Sequence, residues 1–279
     1  MSIGTMIRIG EFFFSIDGDE YKWGALEEYL LPFEAKDLPA DVTARIIFRG
    51  ASPADKPFLR EGHSIDVSDE RIDYFSDEII VNFDIRTARL EVYHKESGKI
   101  KSSGASLSAL NGALKLALAY YFKRDSFFLH SSSVICGRKC AVFAGAAGSG
   151  KSTLALMFQP EKVVSDELTL IKVEKNSLSI VPTPVRHDSP CKLRSIEPMP
   201  LGALFLIKQS SRNRINPISK PAFAKTLLTA LQMNYIPIQK FLKRGVENLL
   251  AAIVAAPCYE LEFTTDGVAA ELVAGLLKR

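Results

Sequence analysis

Short apolar runs broken by polar turns organise the first hundred residues of the chain. MIRIGEFFFSI, ARIIF, EIIVNFDI and ARLEVYH are rich in β-branched and aromatic residues, which fit a pleated, half-buried surface and predict strands. Polar segments such as DGDE and RGASPADKP separate them. The period then changes. After the small, polar join ESGKIKSSG, residues 96–104, the apolar residues Leu107, Leu110, Leu114, Leu118 and Tyr121 recur at helical spacing and predict an amphipathic helix over residues 106–123. From there the patterns alternate. FFLHSSSVI and KCAVFA read as strands, STLALMF as a helix, and KVVSD, LTLIKVE and ALFLIK as strands. AFAKTLLTALQ and FLKRGVENLLAAIVAA predict helices, CYELEF a strand and GVAAELVAGLLKR a closing helix.

This order predicts a small β-rich N-terminal domain, residues 1–104, followed by an α/β domain, residues 105–279. Apolar content of 47% and charged content of 24% are ordinary for a globular protein. No segment approaches the roughly 18–20 apolar residues of a membrane helix, which argues against a membrane protein. MSIGTMIRIGEFFF lacks the basic start, long apolar run and small-residue cleavage site of a secretory leader. Cys136, Cys140, Cys191 and Cys258 form no paired framework, and reduced thiols in a cytoplasm are the expectation.

Charge divides with the domains. Residues 1–104 carry 13 Lys+Arg against 20 Asp+Glu, a net of −7; residues 105–279 carry 22 against 12, a net of +10. A basic half suits an anionic ligand. The cations are dispersed and no helix presents a basic stripe, so nucleic acid is not an expected partner.

The anion has an obvious place. Gly145, Ala146, Ala147, Gly148, Ser149, Gly150, Lys151 and Ser152 fit the pattern GxxxxGK[ST], with Thr153 next. Glycines let the backbone curl so that its N–H groups point inward at phosphate oxygens. The following helix adds its positive dipole end. Lys151 supplies a point charge to the β- and γ-phosphates, and Ser152 an oxygen to Mg²⁺. The expected ligands are therefore ATP and Mg²⁺.

Two features flank the loop. In VVSDEL, Asp166 and Glu167 end an apolar strand, with Asp166 only 15 residues beyond Lys151. Carboxylates there can hold a metal or take a proton. In FFLHSSSV, His130 lies 15 residues before Gly145. On its own, a histidine in an apolar strand reads as a satisfied core or surface residue.

Together these features resemble the HPr kinase/phosphorylase superfamily: a strand with Leu-His, a second strand, the phosphate loop, a short helix, then an acidic pair. Here the pattern reads LHSSSVICGRKCAVFAGAAGSGKSTLALMFQPEKVVSDELTLI. The resemblance covers residues 127–171 and implies a P-loop nucleotide-binding core of the HPr kinase/phosphoenolpyruvate carboxykinase type. It also implies roles. Lys151 and the loop amides bind ATP; Ser152, Glu167 and Asp166 serve the metal; Asp166 takes the proton of an acceptor serine; and His130 lies near the phosphates. The chain departs from the family at Ala146, where Asp is frequent, and at Thr153, where Glu is frequent. The Arg-Gly-rich signature tied to HPr docking and phosphorolysis is absent, with TPVRHDSPCKLRS in its region. The likeness is thus to HPr-kinase-like proteins encoded beside peptide-modification genes.

The first reading is an ATP-dependent kinase that transfers the γ-phosphoryl group to a Ser/Thr hydroxyl of a protein or precursor peptide, with Lys151, Asp166 and His130 as its catalytic residues. The second is a nucleotide-binding adaptor with little turnover, and the third is small-molecule phosphotransfer or carboxykinase chemistry. Arg186, His187, Arg194, Arg212 and Arg214 are candidate γ-phosphate contacts. The N-terminal domain docks the acceptor or covers apolar surface of the core. Homo-oligomerisation is left open.

Overall fold

The computed structural model describes residues 5–18, 28–35, 42–49, 59, 62–94, 103–175, 177–186, 192–230 and 239–278. They form a mixed α/β protein with two separate sheets. They fall into two compact units, one from the chain up to Tyr121 and the other from Phe122 onward.

The first unit is built on a seven-stranded sheet. Its strands are β1 (Thr5–Ile9), β2 (Phe12–Gly18), β3 (Ala44–Arg49), β4 (His63–Val67), β5 (Arg71–Ser76), β6 (Ile79–Asp84) and β7 (Arg89–His94). They lie in the order β1-β2-β3-β7-β6-β5-β4. MIRIGEFFFSI is a hairpin whose turn sits at Gly10, φ 58°. β2, β3 and β7 pair in parallel and the rest antiparallel. The helix α1 (Ser103–Tyr121) packs on β6 and β7, so the residues that open the expected second domain group with the first sheet. Leu110, Leu114 and Leu118 are fully buried, and so are Ala109, Ala113 and Ala117 beside them, which makes the buried stripe wider than the helical period alone picks out. Tyr121 closes the helix against Phe12, Phe14 and Phe83. Its hydroxyl donates to the Thr43 carbonyl at 3.0 Å, and burial pushes its pKa up to about 12.

The second unit contains β8 (Ser126–Cys136), β9 (Lys139–Ala144), α2 (Lys151–Ala155), β10 (Val163–Ser165), β11 (Leu168–Glu174), β12 (Ser177–Val181), β13 (Met199–Gln209), β14 (Arg214–Pro217), α3 (Lys220–Ala230), α4 (Gln239–Ala255), β15 (Cys258–Phe263) and α5 (Val268–Leu277). The pairings close on themselves: β8 to β11, β11 to β12, β12 to β13, β13 to β9, and β9 back to β8. β9, β13 and β15 run parallel side by side, so their C-terminal ends open on one side. The core beneath them gathers Val134, Phe143, Leu154, Ala155, Phe205, Leu261, Phe263 and Val273. Cys136, Cys140 and Cys258 are buried thiols, and burial drives the Cys136 and Cys140 thiols up to about 11 and about 12; Cys191 lies outside the described residues. Among the described residues no helix is long and apolar enough to cross a membrane.

Phe205 is fully buried, 5.6 Å from the Phe143 ring and 5.4 Å from that of Tyr259. Phe205→Ala is expected to destabilise the protein by about 3–5 kcal/mol, from lost transfer energy and a residual cavity. Urea denaturation followed by far-UV circular dichroism measures this, and a loss under about 1 kcal/mol contradicts the packing described.

Candidate functional site

The site is assembled around one level of β8. On one edge Ser131 pairs with Ala144, the last residue of β9, and the Gly145–Gly150 loop begins there. On the other edge, β10 and β11 run as one interrupted antiparallel strand. Ser165 pairs with Ser133 and Leu168 with His130. Between them the same register sets Asp166 opposite Ser132 and Glu167 opposite Ser131, and the Ser131 N–H donates to the Glu167 carbonyl at 3.1 Å.

Faces follow from strand alternation. Ser132 Oγ donates to the carbonyl of Lys151 at 2.8 Å, and Val134 packs with Leu154 and Ala155 of α2. His130, Ser132 and Val134 therefore share the face that carries the loop helix. Asp166 and Glu167 form the bend between β10 and β11, level with Ser132 and Ser131. His130, Asp166 and Glu167 are half-buried.

The loop is tight. Ser149 N–H donates to the Ala146 carbonyl at 3.1 Å, with Gly148 at φ 75° inside this turn. Gly150 has φ 92°, and a Cβ there would stand 2.7 Å from the Phe263 ring and 2.9 Å from Gln209 Nε2. Lys151 is 7% exposed, and its Nζ donates to the carbonyls of Gly145 and Ala146 at 3.1 Å each. Desolvation lowers the pKa of Lys151 below 10.5. Ser152 is exposed, and its Oγ donates to the backbone carbonyl of Asp166 at 3.3 Å. Ala146, Ala147 and Thr153 are exposed.

The structure thus brings the loop, Lys151, Ser152, Asp166 and His130 to one region, with the Asp166 backbone bonded to Ser152. It differs from the sequence reading in the helix after the loop. STLALMF predicts helix through Phe158, but α2 ends at Ala155, where Met157 and Phe158 turn back in tight bonds to Leu154 and Ala155 ahead of Pro160. Five residues make a weak macrodipole, so the loop amides and Lys151 carry the positive potential. Among the basic candidates, Arg186 is 1% exposed and donates to the carbonyls of Val163 and Val164. Arg212 pairs with Glu262 at 2.7 Å, Arg194 and Arg214 are exposed, and His187 lies outside the described residues. Three contacts escape sequence reasoning: Ser132 under Lys151, and Gln209 and Phe263 against Gly150. The run of three serines inside an apolar strand is the one signal that marks the first.

Among the described residues no group of three or more His, Cys, Asp or Glu gathers to hold a metal ion. The ligands present are a hydroxyl and a carboxylate, which fit a hard cation carried in with phosphate oxygens. Ser149 Oγ in the loop and Ser165 Oγ before Asp166 are buried without hydrogen-bond partners, and buried hydroxyls in proteins are usually paired.

No family model and no curated protein sequence matches the chain. Among solved structures it is similar to the HPr(Ser) kinase/phosphatase from Coxiella burnetii, at 13% identity over 54% of this chain and 93% of that one, with a TM-score of 0.28. That overlap is too slight to argue from.

Two predictions follow from the loop. Gly150→Ala forces a Cβ onto Phe263 and Gln209 at a left-handed φ, and is expected to cost on the order of 1–3 kcal/mol; an unchanged thermal midpoint contradicts the geometry. The second concerns Lys151. Its folded pKa is depressed, so between that value and 10.5 the unfolded chain binds more protons and stability rises with pH. An anion beside Nζ favours the charged form, so phosphate or ATP affinity is expected to fall as pH rises through this window. Calorimetry in two buffers of different ionisation enthalpy detects the proton taken up; Lys151→Arg should abolish it.

Proposed function

We propose that the second unit binds Mg²⁺–ATP on Gly145–Ser152 and passes the γ-phosphoryl group to a Ser or Thr hydroxyl of a protein or peptide. The observation that supports this most is the meeting of the loop and the Asp166 bend beside β8, with Ser152 Oγ at 3.3 Å from the Asp166 carbonyl. Phosphoryl transfer asks little covalent chemistry of a protein and depends on positioning and charge neutralisation.

In this reading Lys151 exchanges its two carbonyl partners for phosphate oxygens, recovering in ligand contacts what its desolvation costs. Ser152 holds Mg²⁺ with phosphate oxygens and water, since this ion commonly takes few protein ligands. The bound ion supplies charge neutralisation on the transferring group. Asp166 orients the acceptor hydroxyl and accepts its proton. Glu167, next to it in the same bend, serves the metal or its waters. His130, two residues from Ser132 on the loop face, adds a polar group near the phosphates. The first unit is assigned acceptor docking. Among the described residues its strand β4 pairs only with β5, and a sheet edge can take an extended peptide as an added strand.

The test uses purified protein, labelled ATP with Mg²⁺ and a pool of Ser/Thr peptides. Lys151→Ala is expected to lose most ATP affinity by calorimetry while keeping its fold. Asp166→Asn is expected to bind ATP normally and to lose transfer by about 10²–10⁴-fold. ATP binding with no transfer by the wild type turns the reading to a nucleotide-binding adaptor. Transfer by Asp166→Asn at the wild-type rate removes Asp166 from its role.

A further inference from the structure

Arg186 heads the fully buried side chains by size, 1% exposed and placed against the strand that leads into Asp166. Its Nη2 donates to two successive carbonyls, Val163 at 2.9 Å and Val164 at 2.8 Å. In a regular strand successive carbonyls point to opposite edges, so one nitrogen cannot serve both. β10 is not regular there. Its register against β8 shifts between Val163, which pairs with Val134, and Ser165, which pairs with Ser133.

That shift sets the level on β8 at which the chain turns into the Asp166–Glu167 bend. Continued without interruption from the Val163–Val134 pair, the antiparallel register would set Ser165 opposite Ser132 and Asp166 opposite Ser131. The bulge moves each by one, so that Asp166 stands opposite Ser132. Ser132 is on the face of the loop, bonded to the Lys151 carbonyl; Ser131 is on the other, where the Thr169 hydroxyl reaches Ser133 Oγ at 3.3 Å. Bulges beside functional sites re-aim side chains or end strand pairing.

We propose that Arg186 is a positioning residue: it holds the β10 bulge that brings the Asp166 bend level with Ser132, beside the phosphate loop. The role fits the residue type. A planar guanidinium presents several donors in a fixed fork and stays charged when buried, so it can fill in for a strand neighbour at a place where the ladder is broken. This assigns Arg186 to the acid and not to the phosphate. The inference rests on the proposed role of Asp166 and is separable from it by a double-mutant cycle.

ADP release is measured with labelled ATP, Mg²⁺ and the Ser/Thr peptide pool for the wild type, Arg186→Met, Asp166→Asn and the double variant. Arg186→Met is expected to lower kcat by about 10–100-fold while KM for ATP stays within about twofold, since the loop is untouched. Because Arg186 acts through Asp166, the double variant is expected to be no slower than Asp166→Asn alone. In Arg186→Ala, millimolar guanidinium is expected to restore part of the lost rate. Should Arg186→Met not fold, Arg186→Gln, with a single amide donor, takes its place in the same cycle. Losses that multiply in the double variant, or a raised KM for ATP with unchanged kcat, overturn the proposal and leave Arg186 as a phosphate or loop contact. A wild-type rate in Asp166→Asn identifies the role of Asp166 as the failing premise, and the positioning role falls with it.

Discussion

The register of β8 is the constraint on which the candidate site depends. This 11-residue strand has β9 on one edge and the interrupted β10–β11 strand on the other. Pairing on the first edge fixes where the loop leaves the sheet. Pairing on the second fixes where Asp166 arrives. Because both are hydrogen-bond ladders to the same strand, neither can slide without breaking a row of backbone bonds that have no other partners in the interior. The site is therefore as rigid as the sheet, although the loop belongs to no regular element.

Holding the site there carries a cost that shows in the residues at that level. Ser131, Ser132 and Ser133 are wholly buried in a strand whose other residues, Ser126 and His130 aside, are Phe, Leu, Val, Ile and Cys. Each hydroxyl must find an acceptor or lose hydration uncompensated. Ser131 donates to the Leu129 carbonyl, Ser132 to that of Lys151, and Ser133 accepts from Thr169. Ser132 is the informative one, since it ties the strand to the first residue of α2 where an apolar side chain would only pack. Lys151 is held in the same region at a depressed pKa, and Gly150 at a φ that other residues avoid. A desolvated cation held in a loop on a sheet is suited to an anionic partner.

Much of this was legible in the sequence, for specific reasons. GxxxxGK[ST] is readable because its glycines and lysine are needed locally, whatever the rest of the fold does. The strands of unit 2 that carry VVSD, FFLHSSSV and KCAVFA are apolar enough to read by composition. What escaped depends on distant pairing. SLSIV and RINP, the strands β12 and β14, are too short and polar to signal alone and form because β11, β13 and β15 offer them edges. HSIDV and RIDYFS alternate charge with apolar residues, and β4 in particular buries almost nothing. Arg186 reads from sequence as one of five candidate phosphate contacts; its burial against the β10 bulge leaves no mark in the composition of VVSDEL. The level at which the Asp166–Glu167 bend meets β8 is likewise a property of register, which the acids themselves do not reveal.

The brevity of α2 shifts the electrostatic burden within the site. A long helix after a phosphate loop would present a lasting partial charge to the ligand, whereas α2 has five residues and ends before Met157. Its first residue is Lys151 itself, buried and bonded to two carbonyls of the loop it would otherwise leave open. Those bonds satisfy the ammonium only with neutral dipoles, and desolvation still depresses its pKa. The site thus holds its principal positive charge in a setting where a carbonyl is a weaker partner than a phosphate oxygen. In the proposed function, with little help from the helix, discrimination between a triphosphate and a neutral ligand falls on that one exchange of partners. Ser152 touches both the loop and the strand end, so the position of Asp166 is tied to that of the loop through its hydroxyl.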